Sequence, residues 1–133
     1  MKKLLLPILL MMVFLIASFS ANAQSEEFIE LGTLKAIKGT DFSIQFTELV
    51  EDSRCPRGTQ CIWAGQVTVS INILKGDEVL KTINLTLRPG AENLKSKIFK
   101  NRLFSLLEVT PYPSIHKTGF KEYAVRLQVA LIE

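Results

Sequence analysis

Between residues 123 and 131 every second side chain is large and apolar: Tyr123, Val125, Leu127, Val129 and Leu131 alternate with Ala124, Arg126, Gln128 and Ala130. A two-residue period collects the large apolar set on one face of an extended strand, whereas a helix would scatter it around its axis. The same period recurs in Val67, Val69, Ile71 and Ile73, set against Thr68, Ser70 and Asn72. Lys75-Gly76-Asp77-Glu78 then reads as a hairpin turn. The return strand carries Ile83, Leu85 and Leu87 against Thr82, Asn84 and Thr86, and stops at Pro89-Gly90. Phe42, Ile44 and Phe46 alternate with Ser43, Gln45 and Thr47. Such a chain is built to bury one face of each strand.

The remaining segments fit the same plan. Residues 28–37 read as one apolar-rich strand with Gly32 as a bulge, and Lys38-Gly39-Thr40-Asp41 as a turn. From Arg88 to Asn101 the pattern weakens into a polar, lysine-bearing loop. Leu103 to Val109 is apolar on both faces, as a central strand should be. Thr110-Pro111-Tyr112-Pro113 ends it, because proline has no N–H to give to a ladder. Beyond residue 23 no segment sustains a helical period for three turns. The expected fold is all-β, a single antiparallel β-sandwich (immunoglobulin-like or a small barrel) of about seven strands.

The first 23 residues belong to a different kind of segment. Lys2 and Lys3 precede an apolar run from Leu4 to Ile16, and Ala21-Asn22-Ala23 places small residues where a signal peptidase reads. The expected cut falls between Ala23 and Gln24, giving an exported protein, periplasmic or released. The apolar run is short for a bilayer span and no basic stop-transfer cluster follows it. The mature chain is therefore expected not to span a membrane, and with no cysteine at the cut a lipoprotein anchor is not expected. Residues 24–133 form one domain of 110 residues, a length that buries roughly 65% of its unfolded surface. Of sixteen basic residues two leave with the signal, so against thirteen acidic ones the mature charge is +1. So small an excess leaves no electrostatic footprint for nucleic acid.

Cys55 and Cys61 are the only cysteines. Their C-x5-C spacing matches neither the C-x-x-C redox motif nor paired zinc knuckles, and thiols in an oxidising compartment tend to pair. A disulfide closing so short a loop contributes about 2–2.5 kcal/mol in the loop-entropy model. Its larger expected effect is local, fixing the shape of the loop.

The run Asp52-Ser53-Arg54-Cys55-Pro56-Arg57-Gly58-Thr59-Gln60-Cys61-Ile62-Trp63-Ala64-Gly65, followed by an alternating strand and a later Leu106-Leu107-Glu108-Val109-Thr110-Pro111-Tyr112-Pro113, resembles a family of small exported bacterial proteins with a D-S-R-C-P-x(4)-C-x-W-A-G signature. The resemblance spans most of the mature chain, and its specific part is the cysteine segment. It implies a secreted β domain. Because that family has no established biochemical activity, it carries over no catalytic residue.

Read for chemistry, the chain offers little. The one histidine, His116, lies in the turn-rich segment 113–119, with no G-x-S-x-G elbow to supply a nucleophile. No catalytic constellation is visible, so an enzyme is not expected. Two cysteines and one histidine fall short of a structural zinc set, and Glu48, Glu51 and Asp52 lack the calcium-loop spacing. No metal or cofactor is expected. Lys95, Lys97, Lys100 and Arg102 suit a solvated strand edge.

The cysteine segment is where a binding surface is expected, with Arg54, Arg57 and Trp63 as its candidates. Arg54 has acidic neighbours and suits a bidentate bond to Glu48, Glu51 or Asp52. Arg57 sits between Pro56 and Gly58, which suit the first corner and the end of a type I turn. A preorganised arginine at such a tip is how many inhibitors of trypsin-like proteases work. A tryptophan beside a cysteine usually packs over the disulfide or caps the core; left exposed, it becomes a stacking platform. The expected protein is an exported monomer that binds an unknown protein or cell-envelope ligand, or serves as an accessory structural domain. The alternative is a protease inhibitor presenting the Cys55–Cys61 loop.

Overall fold

The computed structural model describes residues 2–16, 24–115 and 122–132. Helix α1 (Lys2–Ile16) holds the leading apolar run, with Pro7 inside it. Its large apolar side chains from Leu4 to Val13 all stand exposed. Among the described residues no helix is long and apolar enough to cross a membrane. The cleavage-site residues 21–23 lie outside the described residues.

Eight strands follow: β1 (Gln24–Glu30), β2 (Leu34–Ala36), β3 (Phe42–Asp52), β4 (Val67–Lys75), β5 (Glu78–Leu87), β6 (Ser96–Phe99), β7 (Arg102–Thr110) and β8 (Ala124–Leu131). They form two four-stranded antiparallel sheets, β1-β8-β7-β6 and β2-β3-β4-β5. The apolar faces meet between the sheets as a sandwich. Ile44, Phe46, Val69 and Ile71 come from the second sheet and Phe104, Leu106, Val125 and Leu127 from the first, all effectively excluded from solvent. Burial of this apolar area drives the folding, at roughly 25 cal/mol per Å² removed from water.

Eight strands stand where about seven were expected, and the differences have local causes. Residues 28–37 do not run as one strand. At Gly32, with φ +84°, the chain turns and passes from the first sheet to the second. Leu31 N–H donates to Tyr123 O at 2.9 Å and Gly32 N–H to Phe46 O at 2.7 Å. Across this seam Lys35 Nζ pairs with the buried Glu27 carboxylate at 3.4 Å. The lysine-bearing segment hides strand β6, joined to β7 by a two-residue turn. Lys100 and Asn101 both take left-handed φ values, 45° and 60°, the geometry that matches the twist of a tight hairpin. Without a glycine there, the turn leaves no mark in the sequence. Strand β3 runs on to Asp52 through irregularities between Phe46 and Glu48 and between Leu49 and Glu51. Each inserts a residue, and so the alternation stops at Thr47.

One end of the sandwich closes with short turns. Phe42 and Phe99 meet edge to face there, ring centroids 6.5 Å apart. Lys100 Nζ lies 5.6 Å and 5.7 Å from those two centroids. The other end carries the long connections, and with them the cysteine segment.

Candidate functional site

The β3–β4 pairing does not stop where the strands do. Ser53 N–H donates to Gln66 O at 2.8 Å and Cys55 N–H to Ala64 O at 3.1 Å, carrying a narrow ladder up to the disulfide. Cys55 and Cys61 are bonded, with Cα atoms 5.8 Å apart. Gly65 is what allows the two arms to lie so close. A Cβ there would fall 1.8 Å from Ser53 O, and φ is +71°, so glycine is the residue that fits. Glu51 braces the same stretch, accepting from Ser53 Oγ at 3.1 Å and Gln66 Nε2 at 2.9 Å.

Arg54 joins this loop to the other sheet. Its Nε and Nη2 donate to the two carboxylate oxygens of Asp52 at 2.8 Å and 2.7 Å. Its Nη1 donates to Val109 O at 2.7 Å and Nη2 also to Pro111 O at 3.1 Å. The guanidinium carbon lies 4.7 Å from the centre of the Tyr112 ring. Arginine suits the task because its planar fork serves a carboxylate and two carbonyls at once. The Arg54 and Asp52 side chains are only 10% and 9% exposed. Of the three candidate carboxylates, Asp52 takes the bond. Arg54 is thus a brace between the sheets, and the solvent-facing candidates are Arg57 and Trp63.

The turn around Arg57 is shifted by one residue from expectation. Thr59 N–H donates to Pro56 O at 3.3 Å, so Arg57 and Gly58 are its central pair, with Gly58 at φ +89°. Arg57 N–H donates to Pro113 O at 2.9 Å, and Arg57 O accepts from Ile115 N–H at 3.4 Å. Its guanidinium carbon lies 5.2 Å from the Tyr112 ring centre. Tyr112 thereby receives both arginines of the segment.

Trp63 does not pack over the disulfide or cap the core. It is 69% exposed, and Ile62 beside it is fully exposed.

Between this loop, the end of β5 and the far half of β7 lies a cavity of about 630 Å³. Strand β6 pairs only with residues 102–105 of β7, which leaves Leu107 to Thr110 free to wall the cavity. Leu87, Val109, Pro111 and Tyr112 supply apolar surface; Arg57, Arg88, Lys95, Glu92 and Glu108 supply charge. Lys95 is paired with Glu92, and Glu108 with Arg126 at 3.5 Å. Sequence reasoning missed Tyr112 and Arg88. Tyr112 was visible only as the residue between two strand-ending prolines, and Arg88 only as the start of a polar loop. Lys95, Lys97, Lys100 and Arg102 do not act as one edge: Lys95 lines the cavity, while Lys100 sits over Phe42 and Phe99 at the opposite end.

His116 lies outside the described residues. Among the described residues no three histidine, cysteine, aspartate or glutamate side chains converge as a metal site would require. No family model matches the chain, and no match is found among curated proteins or solved structures.

Proposed function

We propose that this is an exported binding domain that acts through the stapled end of its sandwich. The observation that carries the reading is the contrast within one loop. Cys55–Cys61, Gly65 and the Arg54 brace hold its frame, while Arg57, Ile62 and Trp63 of the same loop are exposed. An indole held out on a rigid frame loses little entropy on binding, and tryptophan and arginine dominate the energetics of protein interfaces. Ile62 and Trp63 are exposed enough that they contribute little to the fold. Export, the monomeric state and membership of the D-S-R-C-P family belong to the same proposal.

The inhibitor alternative draws less support from this geometry. A residue entering a protease pocket needs a free backbone and an outward side chain, whereas Arg57 has N–H and C=O bonded to residues 113 and 115 and its guanidinium over Tyr112.

The test is chemical crosslinking in the producing cell with wild-type protein and with Ile62→Ser/Trp63→Ala. The double variant is expected to lose the wild-type partner while its stability changes by less than about 0.5 kcal/mol, as exposed sites do. Capture of the same partner at the same yield would refute the reading. So would inhibition of a trypsin-like protease that Arg57→Ala abolishes.

A further inference from the structure

We infer that the cavity beside the stapled loop is a binding site for a small organic anion, one carboxylate or similar group carried on an apolar body. The site is separate from the loop tip, since neither Ile62 nor Trp63 lines it.

Size comes first. About 630 Å³ lies within the range of roughly 300–1,000 Å³ typical of sites for small ligands. The polar groups then select the ligand. Arg54 is committed to Asp52 and two carbonyls, Lys95 to Glu92, and Glu108 to Arg126. Arg57 and Arg88 remain. Both are exposed, and neither has a carboxylate within ion-pair distance among the described residues. Glu92 and Glu108 also line the cavity and are half or more exposed, but each has a basic partner, so Arg57 and Arg88 give the lining an excess of positive charge for an entering anion to meet. The rest of the wall explains why the anion carries an apolar body. Leu87, Val109, Pro111 and the Tyr112 ring offer surface that an inorganic ion leaves wet. Tyr112 also holds the Arg57 guanidinium at 5.2 Å, so one of the two cations is placed before the ligand arrives.

The experiment is titration of the full-chain protein, as recovered from expressing cells, followed by amide chemical shifts and by calorimetry. Decanoate and 2-naphthoate are the probes, one with an acyl body and one with an aromatic body. Decanol, 2-naphthylmethanol and inorganic phosphate are the controls. At least one carboxylate is expected to bind, shifting Gly65, Ala91, Leu107 and Tyr112. Its neutral analogue and phosphate are each expected to bind about tenfold more weakly or worse, the scale of one charge-assisted hydrogen bond. Arg88→Ala, at a solvent-exposed position, is expected to keep the wild-type melting temperature and weaken binding about tenfold, and Arg88→Glu further. Trp63→Ala is expected to leave the affinity unchanged, which separates this site from the loop tip. Decanoate binding alone would assign an acyl ligand, and naphthoate binding alone an aromatic one. Failure of both carboxylates to bind, equal affinity for a neutral analogue, or an Arg88→Glu protein that binds like wild type would each overturn the proposal.

Discussion

The two ends of this sandwich are finished in opposite ways. At one, the chain reverses in two residues between β4 and β5 and again between β6 and β7, and Phe42, Phe99 and Lys100 close the gap between the sheets with ring contacts. At the other, residues 53–66, 88–95 and the segment after β7 make long excursions. A disulfide, one largely buried ion pair and a glycine that admits no side chain hold the described part of that end together. Short turns stabilise themselves through local backbone geometry. Long connections must be ordered by interactions brought from elsewhere, and those interactions also create concave space and fixed, exposed side chains. The polar, covalently braced end is therefore where we propose that binding occurs.

If that contrast is right, the braced end should depend on Arg54 out of proportion to its size. Arg54→Ala is expected to destabilise the fold by about 3 kcal/mol, since it leaves the Asp52 carboxylate buried without its partner. Chemical denaturation measures the loss. Hydrogen exchange should show protection falling at Val109 and Ser53 and holding at the β6–β7 turn; equal loss at both ends would break the comparison. Reducing the disulfide is expected to lower stability by roughly 2 kcal/mol and leave both sheets intact. An unchanged far-ultraviolet spectrum with a lower unfolding midpoint is the outcome to look for, and a collapsed spectrum would mean that the staple holds more than its loop. At the tight end one lever is backbone conformation. Asn101→Gly relieves a left-handed residue in the β6–β7 turn and is expected to raise stability by up to about 0.5 kcal/mol. A destabilised variant would show that the Asn101 side chain, and not the turn geometry, holds that hairpin.

How much of this was legible in the sequence follows the same division. Strands β4, β5, β7 and β8 announced themselves because burial on one or both faces imposes a pattern that a reader can count. Strand β6 did not, because four residues are too few to show a period and its turn uses lysine and asparagine in place of glycine. The end of β3 was masked by two irregularities that shift the pattern by a residue each. At the site, Arg54 was readable as a brace from its acidic neighbours in sequence. Its other partners, Val109 and Pro111, lie more than fifty residues along the chain, and carbonyl acceptors have no residue signature. Trp63 misled because tryptophan is usually buried.

The pairing of β1 with β8 governs when this architecture can exist at all. Gln24 lies opposite Ala130 in that ladder, so the first strand of the domain finds its neighbour only after nearly the whole domain has been made. The β4–β5 and β6–β7 hairpins close over two residues; the β1–β8 ladder must wait for the last strand, because contacts so distant in sequence are slow to form. A chain that emerges amino terminus first thus spends its synthesis with β1 unmatched and the sandwich open. The final strand does not decorate the domain. It is the step that makes it one.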